Sequence, residues 1–274
     1  MKVVWQATKK VNNHTSRFSF SPKQDYHLVR NPLRKQSVIF PGYKINYLKA
    51  ELYFKNIIEH KTTPWTAKEY YQVCNDMHKI LLAGQWYNKK SLMGKVKGGK
   101  LRGQTAPKSG RPHVREYAQA IANKHQVKIK AGALAVRRVK ENLPDNPKEG
   151  GHAYPIGHKG LVAYYKSAVV SLNALMKASS SEKKLNCLGD LYHTMINARP
   201  FTQVNQSLFM NQINVLLKHM SLSTVHHGHL DHLAHRFDYR EFRKLFRLHY
   251  DGKLGMARFK HGSFIGFAYW SKHQ

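Results

Sequence analysis

Residues 184–220, KLNCLGDLYHTMINARPFTQVNQSLFMNQINVLLKHM, limit the possible folds more than any other stretch of the chain. Leu185, Leu188, Leu191, Tyr192, Met195 and Ile196 recur at three- and four-residue steps, which places them on one face of a helix. Leu208, Phe209, Ile213, Leu216, Leu217 and Met220 do the same for a second helix. Between them, residues 198–206 form a short polar elbow. Pro200 disfavours helix at Arg199, and Asn205 is placed to cap the helix that follows. Two helices with one apolar face each must bury those faces against other elements, so the chain is expected to be helical. An elbow that opens onto a helix N-terminus also suits an anion, because the first amides lack partners and the dipole is positive there.

The remaining sequence fits around that hairpin as further helices. Leu48, Leu52, Phe54, Ile57 and Ile58 predict a helix over residues 47–59, broken by Thr62-Thr63-Pro64-Trp65. Thr66 and Glu69 have capping-box spacing, after which Tyr70, Val73, Cys74, Met77, Ile80 and Leu81 share one face until Gly84. Helices are also expected over residues 115–124, over 161–177 with Leu161, Tyr165, Ala168, Val169, Leu172 and Met176 inward, and over 239–249. In the last of these Phe242, Leu245 and Phe246 point inward and Arg240, Arg243 and Arg247 outward. Ser37-Val38-Ile39-Phe40 is a candidate strand, Arg137, Arg138 and Lys140 mark a basic stretch, and residues 143–151 have linker-like punctuation. The aromatic stretch 259–270 supplies a strand or packs across the body. The expected organisation is an irregular extension over 1–46, one helical domain over 47–250 and an aromatic tail over 251–274 packed on that domain. The fold class is mainly α with little β structure.

Residues 88–115 are basic and glycine-rich. Gly94 to Lys100 has the spacing of a phosphate-binding P-loop, but Leu101 stands where Ser or Thr would hold magnesium and no buried strand precedes it. That match is rejected. A basic loop that touches phosphate through charge and backbone amides, and one that is simply a solvated surface loop, both remain open. The formal net charge of +31 implies attraction to nucleic acid, anionic membrane, phosphates or an acidic protein surface, and implies nothing about the fold. Cys74 and Cys187 fall on apolar helix faces, which favours buried free thiols and a reducing compartment. The first residues lack the apolar core of a signal peptide and no later run reaches transmembrane length. The protein is therefore expected to be soluble, either cytoplasmic or delivered by specialised secretion.

His227 to His232 reads H-x-H-x-D-H, a metal-ligand string of metallo-β-lactamase type. No hydrophobic strand precedes it and the residues that follow are helical in pattern, so no metal is assigned.

The elbow and its surroundings resemble a Fic/Doc-type domain, whose signature H-P-F-x-[DE]-G-N-G-R-x-x-R lies between two buried helices. Residues 199–210, RPFTQVNQSLFM, occupy that frame, with Pro200, Phe201 and Asn205 matching. Upstream, residues 66–84 with Met77-His78 look like the family's early helix, and Gly99-Lys100-Leu101-Arg102 looks like its G-K-x-R segment. The resemblance covers roughly residues 47–250. It implies a Fic-like helical bundle with a basic Gly-rich flap loop. The family's catalytic His is Arg199 here, which stays protonated and cannot act as a base. Its acidic magnesium ligand is Gln203, its diphosphate-wrapping glycines are Val204 and Gln206, and its phosphate-gripping arginines are Ser207 and Met210. Ordinary AMP transfer is not expected, and a magnesium requirement is doubtful.

The leading expectation is a divergent Fic-like transferase, of bacterial-effector type, that moves a nucleotide-derived or glycosyl group onto a protein. Arg199, Gln203 and Asn205 would form its catalytic elbow, with Arg199 as a cationic phosphate ligand. Ser207, Lys100, Arg102 and Arg111 would hold a nucleotide or nucleotide-sugar donor. One alternative is a catalytically inactive Fic-like scaffold that binds an acidic protein or an anionic surface. The other is a nucleic-acid-binding protein in which the basic loop and Arg240, Arg243 and Arg247 contact phosphates.

Overall fold

In chain order the elements are α1 (Tyr43–His60), α2 (Ala67–Leu82), β1 (Trp86–Tyr87), β2 (Gly94–Lys95), β3 (Leu134–Val139), β4 (Gly150–Pro155), α3 (Gly157–Met176), α4 (Ser181–Ala198), α5 (Asn205–His219), α6 (Leu230–Arg236), α7 (Tyr239–Tyr250), β5 (Met256–Lys260) and β6 (Ser263–Ala268). The computed structural model describes residues 43–83, 86–87, 94–95, 134–139, 150–155, 157–201, 204–226, 230–254, 256–260 and 263–268. The fold is mainly α. The strands form three two-stranded antiparallel ribbons, β1–β2, β3–β4 and β5–β6. The extension over 1–42, the candidate strand at Ser37, the helix over 115–124, Lys140 and nearly all of the basic loop lie outside the described residues.

The chain divides into two compact units. One comprises Met1–Arg102 and Pro200–His227, the other Gly103–Arg199 and Gly228–Gln274.

In the first unit α1 packs against α2 and α5, and α2 packs against α5. The capping box forms as the spacing predicts. The Glu69 N–H donates to Thr66 Oγ1 at 3.2 Å, and the Thr66 N–H donates to Glu69 Oε2 at 2.9 Å. These bonds satisfy two helix-end donors and fix the start of α2. Tyr47, Ala50, Phe54 and Ile58 of α1 meet Tyr70, Cys74, Met77 and Leu81 of α2 in the core, and α5 adds Leu208, Phe209, Ile213, Leu216 and Leu217. The helix predicted over 47–59 begins at Tyr43, because Asn46 is also drawn into the interior. Its side-chain amide donates to the carbonyl of Ala83 at 2.8 Å, which ties the start of α1 to the end of α2.

The apolar pattern of α5 shows only part of its buried surface, because its amide side chains are buried too. Gln212 accepts from the Tyr70 hydroxyl at 2.7 Å, Asn211 donates to the Tyr47 carbonyl at 3.1 Å, and Asn214 both donates to and accepts from the backbone of Val225 at 2.9 and 2.8 Å. Each of these bonds satisfies a polar atom that would be costly to bury alone.

In the second unit α4 lies centrally, against α3, α6, α7 and β4. Ser180 caps it through the Lys183 N–H at 3.2 Å. Tyr192 stacks on Phe242 at 6.1 Å, and Asn197 donates to the carbonyls of His193 and Ala234 at 2.9 and 2.8 Å. A Cβ added to Gly189 would lie 3.5 Å from the Phe246 side chain, so α7 crosses α4 where the side chain is smallest. The β3–β4 ribbon, with Leu134 opposite Pro155 and Val139 opposite Gly150, places Arg137 and Arg138 of the basic stretch in a strand. It also places Gly150 and Gly151, the end of the linker-like stretch, in a strand. Neither cysteine is in a disulfide, but Cys187 is only half-buried, beside Asp190 and Arg243; burial first, then the Asp190 charge, raises its thiol pKa.

Candidate functional site

Helix α4 ends at Ala198, and Arg199 caps it in the left-handed region at φ 40°, ψ 55°, its N–H bonded to the Met195 carbonyl at 3.1 Å. This is a conformation usually taken by glycine at helix ends. Arg199 is half-exposed and belongs to the second unit.

The residues from Pro200 belong to the first unit. Pro200 and Phe201 are buried, and the Phe201 ring stacks on the imidazole of His78 from α2, centroids 4.1 Å apart and planes 11° from parallel. The side chain of Asn205 closes on the same residue. The Phe201 N–H donates to Asn205 Oδ1 at 3.0 Å, and Asn205 Nδ2 donates to the Phe201 carbonyl at 2.7 Å. Both polar atoms of this amide are engaged by one residue's backbone, which locks the elbow to the first turn of α5.

Asn205 therefore does not cap the helix as expected. Val204 is the capping residue, with no side-chain cap bond, and it sits at φ 47°, ψ 18°. The left-handed region costs an ordinary L-residue about 1–2 kcal/mol, and a branched side chain is rarer still there. Asn205 lies one position too far along, already helical, so its amide reaches back to Phe201 instead of forward to the helix amides. Gln206 and Ser207 follow in the first turn, both half-buried.

Of the expected site residues, Asn205 and Ser207 share the first turn of α5, and Arg199 belongs to the other unit. Gln203, Lys100, Arg102 and Arg111 lie outside the described residues. Residue patterning gave no role to His78, although its spacing from Cys74 and Leu81 puts it on the buried face of α2. Its ring-on-ring contact with Phe201 joins α2 to the elbow.

The three arginines of α7 are only partly available. Arg243 grips Asp190 through two contacts, one from Nε to Oδ1 at 2.8 Å, and Arg247 pairs with Glu182. The hydrogen bond that Arg243 donates to Asp190 raises the Arg243 pKa further. Arg240 is exposed, its guanidinium 5.6 Å from the Tyr239 ring centroid. All three arginines lie off the buried face of α7, as expected, but they are not all free to meet phosphates. Asp190 and Glu182 of α4 face α7 and draw two of the three cations into inter-helix ion pairs.

Of the histidine-rich string, His226 and Asp231 are buried, while His227 lies outside the described residues together with Gly228 and His229. Among the described residues no group of three His, Cys, Asp or Glu side chains could hold a metal ion, and no helix is long and apolar enough to cross a membrane.

Compared with known proteins, the chain matches no family model, no curated protein and no solved structure.

Proposed function

We propose that this protein is a helical scaffold of Fic-like design that acts by binding an acidic partner protein, and that its elbow holds the fold together instead of carrying out group transfer. One observation carries the reading. Every motif position that matches the family is engaged in holding the elbow: Pro200 is buried, Phe201 lies under the His78 ring, and Asn205 is bonded at both ends to Phe201. The positions that would supply chemistry are the ones replaced, and Arg199 cannot serve as a base. The net charge of +31 supplies the attraction for an acidic surface.

A divergent transferase is the second reading, and Val204 favours it. In the resemblance this residue stands at a glycine, and its backbone retains a left-handed turn although the side chain is branched. Strain of this kind is often kept where a backbone must face a ligand. Nucleic-acid binding has less support, since Arg243 and Arg247 already have carboxylate partners.

The discriminating experiment is thermal unfolding of the purified chain with a nucleoside triphosphate, a nucleotide sugar, polyglutamate and a short RNA, each at low and high salt. A ligand bound only by the folded form stabilises it by about 2.7 kcal/mol at a hundredfold excess over its Kd. The binding reading expects polyglutamate to raise Tm in a salt-sensitive way, with no response to either nucleotide. A salt-tolerant rise with one nucleotide would overturn it in favour of transfer chemistry. An RNA response that survives high salt would overturn it in favour of nucleic acid.

A further inference from the structure

Helix α1 carries apolar side chains on both sides. Its inner side contributes Tyr47, Ala50, Phe54 and Ile58 to the core, yet Ile45, Leu48 and Leu52 remain 58%, 41% and 57% exposed. At about 3.6 residues per turn, positions 45, 48 and 52 fall in one stripe along the helix. Three large aliphatics in a row on one helix are unlike the scattered exposed apolar residues that any surface carries.

The charges beside the stripe are arranged about it. By the same helical step Lys49 falls along one edge and Lys55 along the other, and both are exposed. The carboxylates of α1 offset them only in part, since the Lys55–Glu59 pair is exposed and such pairs are weak. Glu51 pairs with Lys218 of α5, and Glu59 lies 3.6 Å from Lys55 at the far end of the stripe. An apolar seam with a cation on each edge is complementary to an amphipathic helix whose own apolar seam is edged by carboxylates. This is the pairing logic of helix-in-groove recognition and of charged coiled-coil flanks.

We propose that Ile45, Leu48 and Leu52, with Lys49 and Lys55, form a docking surface for an acidic amphipathic helix of a partner protein. The inference rests on the binding reading above and specifies where the partner lies. An interface of this extent belongs to the small, transient class.

The test uses the full-length protein and two designed helical peptides, each with a leucine seam, one with Glu flanks and the other with Lys flanks. Polyglutamate, which has no seam, is measured alongside. The Glu-flanked peptide should bind saturably and the Lys-flanked one should not. Leu48→Ser with Leu52→Ser should weaken the Glu-flanked peptide by about tenfold or more, the range for truncated apolar anchors, while Tm and polyglutamate binding stay the same. Lys49→Ala with Lys55→Ala should weaken it severalfold and increase its tolerance of salt. Equal binding by the double-serine variant and the parent would overturn the docking surface and leave the binding reading standing. Absence of binding by both polyglutamate and the Glu-flanked peptide would overturn both. Sedimentation that shows a dimer of the parent, lost in the double-serine variant, would assign the stripe to a second copy of this chain and overturn the inference.

Discussion

At the scale of single residues, the elbow depends on two unusual choices, an amide that serves as a clasp and a valine in the left-handed region. Asn205→Ala would leave the Phe201 N–H and carbonyl without their partner in a buried site, which costs about 1–3 kcal/mol. A Tm drop of corresponding size in calorimetry is expected, and an unchanged Tm would remove the clasp from the account. Val204→Gly relieves the backbone strain but increases the freedom of the unfolded chain. The strain is the larger effect for a branched residue, so the variant should gain up to about 1 kcal/mol. Chemical denaturation of both variants checks the pair of predictions, since one should lose stability and the other gain it. Neither the clasp nor the left-handed turn was legible in the sequence. Asn205 could cap or reach backward, and only the helix start at Asn205 itself decides between the two.

At the scale of elements, the start of α2 is the best-determined feature. Hydrogen bonding from the Thr66 backbone, followed by Lys61, holds the Glu69 carboxyl down at about 2, against an ordinary value of 4.5. Because the folded pKa is the lower one, the contribution of Glu69 is complete above pH 4.5 and disappears as the pH falls towards 2. The Tm advantage of the parent over Glu69→Gln should therefore be constant near neutrality and vanish across that interval. A difference that is independent of pH would contradict this. The contact of α4 with α7 makes a second prediction. A methyl at Gly189 would lie in ordinary contact with Phe246, so Gly189→Ala should be nearly neutral. Gly189→Leu must displace α7 and should cost about 1–3 kcal/mol, as overpacking does.

The helices were largely legible because their burial repeats every three or four residues. This held for α2 through its capping box and for the paired faces of α4 and α5. Three features were not. The buried amides of α5 do not show in its apolar pattern, since a sequence does not reveal whether a polar side chain will find a backbone partner. The β3–β4 ribbon carries Arg137, Arg138 and His152 among small residues, and lacks the alternation that marks a strand. The cations of α7 read as a free row, because Asp190 and Glu182 lie more than fifty residues earlier and become neighbours only when α4 and α7 pack.

At the scale of the whole molecule, the charge of +31 and the engaged elbow support the same conclusion. Electrostatic excess governs association and says little about fold, while Phe201 and Asn205 of the elbow are bonded to each other within the fold. Arg199 allows fold and chemistry to be separated. It occupies a left-handed helix end that glycine prefers, so Arg199→Gly removes the expected phosphate ligand and keeps the backbone turn. The most direct measurement is titration of the parent and Arg199→Gly with polyglutamate and with a nucleotide panel, alongside their Tm values. The account predicts a variant that still unfolds cooperatively, no nucleotide binding by either protein, and polyglutamate affinity within about 1 kcal/mol, the most that one surface ion pair contributes. Salt-tolerant binding of a nucleotide by the parent, lost in Arg199→Gly while Tm is kept, would contradict it and make the elbow a site of chemistry.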